Sequence, residues 1–199
     1  MKLRHIAMLF ATLFLPACSN SQDNTSDVTR LEMKKIEDFE QIKPTQGSDT
    51  PILISTFNTK VYTKTEARMN NLNIVCNKIS GKIIQPGEEF SYNDIAGPFD
   101  KEHGFGKATI LMKDGSEVQG YGGGVCQVSS TLYNAVKDCG VKITERHNHS
   151  KDVYYVPRNQ DATVSYGSLD FRFKNLNNYP LQIQASANKQ YVTVEIYKI

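Results

Sequence analysis

From residue 141 onward the chain is written in strand-sized pieces. VKITERH, DVYYV, DATVSY, LDFRFK, LQIQASA and YVTVEIY follow one another, each bounded by turn-forming residues. In LQIQASA, Leu181, Ile183, Ala185 and Ala187 alternate with Gln182 and Gln184, which gives a strand one dry and one wet face. All six segments are expected as strands of an antiparallel sheet filling the C-terminal half.

Ahead of them lie two helical patterns. From Thr65, Met69, Leu72, Val75 and Ile79 recur at helical spacing and Gly81 supplies a stop. A second helix opens at Cys126, buries Leu132 and Val136, and ends before Gly140. The first strand is expected at ILISTF after Pro51, PGEEF reads as a turn into a strand, and Lys113-Asp114-Gly115-Ser116 reads as a hairpin turn. No internal repeat is visible. The fold class is α+β, two main helices packed on a largely antiparallel sheet.

The N-terminus points to export. Lys2, Arg4 and His5 precede an apolar run over residues 6–15, too short to span a bilayer and proportioned like a signal-peptide core. It ends in Leu15-Pro16-Ala17-Cys18, which resembles a bacterial lipoprotein cleavage box. Residues 1–17 are thus expected to be a leader and Cys18 the lipidated first mature residue, the alternative being a plain secretory signal with an incidental cysteine. Two or more acyl chains on Cys18 would anchor the protein stably to the membrane. Residues 18–50 read as tether and linker: residues 19–30 are small, polar and aperiodic, and residues 31–43 carry a weak amphipathic pattern. The folded domain is expected over residues 51–199. With a net charge of +2 and no basic run, the chain shows no nucleic-acid footprint.

Of the four cysteines, Cys18 is assigned to lipid, and an odd remainder leaves at least one free thiol. Cys76 and Cys139 sit within apolar helical patterns and read as small core residues. Cys126 follows Gly122, Gly123 and Gly124 and stands in the first turn of its helix. Unpaired backbone N–H groups and the helix dipole there favour a thiolate. The glycines are expected to clear space beside the sulfur and aim amides at a developing oxyanion, with Ser129 and Ser130 adding hydrogen bonds. In extended backbone Glu145, His147 and His149 share a face, so both histidines are candidate bases, and Asp161 is a candidate to orient the imidazole. Arg146, in the same ERHNHS run, is a candidate substrate contact. The bland alternative is a structural cysteine with surface histidines. A closed zinc site built from Cys126, Cys139, His147 and His149 is disfavoured, because about three and a half helical turns separate the two sulfurs. Neither metal nor cofactor is expected.

GGGVCQVSSTLYNAV, then ERHNHS, then YVPRNQDATVSYGSLDFRFKN closely resemble the VanW domain family, as do STFNTK and PGEEFSYND. The resemblance covers about residues 51–180. It implies a bacterial envelope protein related to glycopeptide resistance and, for similar members, L,D-transpeptidase activity on peptidoglycan stem peptides. In that activity a cysteine takes the acyl group after the third stem residue, releases the terminal D-alanine and passes the acyl group to a neighbouring amine. Carried over by motif, the cysteine falls on Cys126, the ER-x-x-HS histidine on His149 and the DAT acid on Asp161, with His147 ranking second as base. The implied partners are stem peptides, and the implied location is the outer face of the cell membrane. Water as acceptor would make the protein a carboxypeptidase. A non-catalytic module binding stem peptides in its glycine-rich groove is the rival.

Overall fold

The computed structural model describes residues 50–199. The expected leader, the Cys18 lipidation site and the tether through residue 49 lie outside the described residues.

Alternation at the C-terminus sets the central layer. Strands β8 (Leu181–Ala187) and β9 (Tyr191–Lys198) form a hairpin. Asn188 closes its turn, its side-chain oxygen accepting from the amides of Gln190 and Tyr191. Leu181, Ile183, Val192, Val194 and Ile196 are all fully or almost fully buried, whereas Gln182 and Gln184 are only partly covered. The free edge of β9 is paired by β1 (Ile52–Lys60) and that of β8 by β2 (Ile83–Ile84), giving the order β1-β9-β8-β2.

Helix α1 (Glu66–Ile79) lies against β8 and buries Leu72, Val75, Cys76 and Ile79. Helix α3 (Val125–Val136) lies against β1 and β9 and buries Val128, Leu132, Ala135 and Val136. Between them come β3 (Glu89–Ser91), a one-turn helix α2 (Tyr92–Ala96), and the hairpin β4 (Lys107–Leu111) and β5 (Glu117–Tyr121). The hairpin turn is the expected one: the Asp114 carboxylate accepts from the Ser116 amide and hydroxyl. A further sheet, β3-β7-β6, is completed by β6 (Val141–Glu145) and β7 (Arg172–Asn175), with Phe90 stacked on Phe173 at 4.8 Å.

The class is α+β, with two main helices and antiparallel strands. The C-terminal strands do not form one sheet of their own; they are shared among sheets that recruit β1, β2 and β3 from the N-terminal side. Two expected strands are absent. DVYYV has no ladder, and DATVSY makes only the isolated bridges His147–Thr163 and Ser165–Leu169. Their apolar residues Val156, Ala162 and Val164 are buried, so the alternation there reflects packing rather than strand pairing. Among the described residues no helix is long and apolar enough to cross a membrane.

Candidate active site

The glycines before Cys126 have a packing reason. Gly124 caps α3 with φ 112°, a left-handed conformation that a side chain rarely adopts. A Cβ on Gly123 would stand 2.6 Å from the backbone carbonyl carbon of Ala108 in β4. The Gly123 carbonyl accepts from the side-chain amide of Asn71 in α1, which also exchanges hydrogen bonds with the backbone of Gly106. The expectation that Gly123 and Gly124 leave open space beside the sulfur is therefore corrected: they let a tight turn press against β4 and α1.

That turn delivers Cys126 as the second residue of α3, where it is half-buried. Its sulfur accepts from the Val164 amide at 3.5 Å and lies 3.4 Å from the Val164 carbonyl and 3.7 Å from the Thr163 hydroxyl. The ring of His149 stands near enough to the same sulfur to influence its ionisation. The other side of that ring is fixed, because Nδ1 lies 2.6 Å from Asp161 Oδ2, and both side chains are more than nine-tenths buried. With Nδ1 on the carboxylate, Nε2 is the nitrogen left for sulfur. Asp161 also accepts from the His149 amide at 2.6 Å and from the Asn148 side chain at 3.2 Å. The imidazole is thus gripped by the carboxylate and neighbours the sulfur.

Burial works against ionising the Cys126 thiol, but the hydrogen bond and charge of His149, the Val164 amide and the Thr163 hydroxyl together bring it below its usual value. Burial likewise works against charging His149, and the sulfur and Asp161 overcome it, so the imidazole is held above its usual value. Both shifts favour a thiolate–imidazolium pair. The other thiols move the opposite way. Burial pushes Cys76 up to about 12 and also raises Cys139. All three described cysteines are free.

Several expected site residues lie elsewhere. His147 turns away from the sulfur: its Nε2 lies 2.9 Å from Glu145 Oε1, which also accepts from the Asp170 amide. The shared face expected for Glu145, His147 and His149 does not exist, because β6 ends at Glu145. Ser129 is fully buried and donates to the Ala162 carbonyl at 2.6 Å, so it ties α3 to the 160–164 segment instead of facing a substrate. Ser130 adds to the same tie by accepting from the Ala162 amide. Arg146 donates to the Asp161 carbonyl at 2.6 Å and sits 4.8 Å over the Tyr133 ring. It supports the loop carrying Asp161 and does not contact the sulfur. Cys126, Cys139, His147 and His149 are not gathered, since Cys139 donates to the Ala135 carbonyl in the core and His147 pairs with Glu145.

The VanW-like protein family model matches residues 67–197, a span containing Cys126, His149 and Asp161. The chain belongs to the VanW family. The uncharacterised protein YoaR of Bacillus subtilis (strain 168) is 39% identical to it over 132 residues, covering 66% of this chain and 43% of that protein. The vancomycin B-type resistance protein VanW of Enterococcus faecalis (strain ATCC 700802 / V583) is 25% identical over 137 residues, covering 66% of this chain and 50% of that one. The VanW match thus spans about half the length of these curated relatives. No solved structure matches the chain.

Sequence reasoning missed Val164 and Thr163, which fall in a segment read as an ordinary strand. Their signal was proximity in the chain to Asp161.

Proposed function

We propose that the protein is a cysteine acyltransferase of the bacterial cell wall, acting on peptidoglycan stem peptides as an L,D-transpeptidase. The carrying observation is the buried His149 ring fixed by the Asp161 carboxylate at 2.6 Å, beside a Cys126 thiol at a helix N-terminus whose ionisation it favours. A thiolate with an oriented imidazole is the arrangement needed for covalent acyl transfer. Family membership and a relative named for vancomycin resistance point the same chemistry at the cell wall.

The Cys126 thiolate attacks the carbonyl of the third stem residue, a C–S bond forms and the C–N bond to the terminal D-alanine breaks. The His149 imidazolium gives its proton to the departing amine. An amine of a neighbouring stem then attacks the thioester, the new amide forms, the thiolate leaves and His149 takes up the amine's proton. Water in place of the amine yields a free acid, the carboxypeptidase outcome.

Mass spectrometry of the protein mixed with tetrapeptide muropeptides tests this reading. The expected result is an adduct equal to the acyl part, with released D-alanine and cross-linked dimers. Retention of the intact tetrapeptide with neither adduct nor released D-alanine would establish the binding module instead.

The same reading places the protein on the outer face of the membrane, held by lipid on Cys18. Cys18→Ala should move it from the membrane fraction to the medium. Persistence in the membrane with an uncleaved leader would refute the anchor.

A further inference from the structure

Arg68 is the one residue of α1 whose burial brings a formal charge inside. It is 5% exposed, and among the described residues no carboxylate pairs with it. Its guanidinium makes a single hydrogen bond, from Nη2 to the neutral Gln127 Oε1 at 2.9 Å, and its Nε is buried with no acceptor. A buried cation without a counter-charge is costly, and replacing such groups by neutral ones is often harmless to a fold. Its burial here calls for a ligand that supplies the missing charge.

The guanidinium is also aimed. Gln127 donates through Nε2 to the Thr59 hydroxyl and the Lys60 carbonyl, which leaves its Oε1 fixed for Arg68. The guanidinium carbon lies 3.6 Å from where a Cβ on Gly124 would stand, at the N-terminal end of α3, two residues before Cys126. The helix dipole adds positive potential at the same end. The ring of Tyr155 lies 6.5 Å edge-on from that of His149. The cation therefore stands at the same helix end as the nucleophile.

We infer that Arg68 binds a carboxylate of the acyl donor, that of the C-terminal residue leaving when Cys126 is acylated. This rests on the acyl-transfer reading for the identity of the donor. In a peptide whose last bond is cut, the terminal carboxylate lies two bonds beyond the scissile nitrogen, so a cation beside the nucleophile selects chain ends over internal bonds. A planar guanidinium suits a carboxylate, which can accept from two of its N–H groups.

The test does not depend on turnover. The intact protein is treated with maleimidoacetate, which carries a carboxylate, and in parallel with neutral N-ethylmaleimide, and modification of the Cys126 peptide is followed by mass spectrometry. The ratio of the two rates cancels any general change in thiol reactivity. Arg68→Gln should lower the maleimidoacetate preference about tenfold or more, while Arg68→Lys should keep most of it. An unchanged ratio in Arg68→Gln overturns the carboxylate site, whatever stem peptides do. Failure of both variants to fold also overturns it, because a cation kept for a ligand is dispensable for the fold. A fallen ratio in a protein that never forms a stem-peptide adduct leaves the carboxylate site standing and removes the transpeptidase reading.

Discussion

Cys126→Ser should abolish the acyl adduct and lower any release of D-alanine by about 10⁴-fold or more, the scale seen when a nucleophile acting within a triad is removed. A serine hydroxyl fits the space and can still accept from the Val164 amide, so the variant should fold. What it loses is ionisation. The imidazole, the Val164 amide and the Thr163 hydroxyl bring a thiol below its ordinary value, but a hydroxyl starts far higher and stays neutral. Mass spectrometry with tetrapeptide stems and a D-alanine assay read the outcome. Full activity in Cys126→Ser would place the nucleophile elsewhere. Equal losses on changing Cys76 or Cys139 to serine would also break the assignment, because burial keeps both of those thiols protonated.

Local chemistry was legible in this sequence; which element meets which was less so. Leu181 and Ile183 against Gln182 and Gln184 specify a strand with one buried face wherever that strand pairs, and Asp114-Gly115 specifies its turn from within. DVYYV and DATVSY alternate in the same way yet form no ladder: Val156, Ala162 and Val164 are buried without pairing, the last two tied to α3 by hydrogen bonds. Periodicity alone does not separate those cases. At the site, the motif reading paired Cys126 with His149 and Asp161, while the shared-face argument for His147 failed where the chain leaves β6. His149 is held by Asp161, which binds both its amide and its ring. Ser129, Arg146 and the glycines looked like substrate contacts because they neighbour the motif residues. Their partners Ala162, Asp161 and Ala108 come from other segments, a relation no single sequence displays. Arg68 left a faint trace: it stands four residues before Leu72, on the buried stripe of α1.

His149→Ala should slow acylation by about 10²–10⁴-fold and should also change the pH dependence of the thiol in a stated direction. In the native protein, alkylation of Cys126 by iodoacetamide should rise through a midpoint below 9.0, the ordinary thiol value. Acylation needs the imidazolium as well, so its rate should be bell-shaped: limited on the acid side by the lowered thiol and on the alkaline side by the raised imidazole. Without His149, burial is the largest influence left on Cys126, opposed only by the Val164 amide and the Thr163 hydroxyl. The alkylation midpoint should then move upward and the alkaline limb should vanish. Stability follows the same signs. The lowered thiol contributes stability that is complete above 9.0 and is lost as pH falls through its folded value, whereas the raised imidazole contributes stability that is complete below 6.5 and is lost as pH rises through its own. His149→Ala removes the imidazole's contribution and weakens the thiol's, so its loss of stability should appear on the acid side of the imidazole's folded value and on the alkaline side of the thiol's. Asp161→Asn should give an intermediate result, since the ring remains but loses the carboxylate that fixes its orientation and supports its charge. An alkylation midpoint that stays in place in His149→Ala would show that the helix terminus and the Val164 amide alone set the thiol, and His149 would then be no part of its activation.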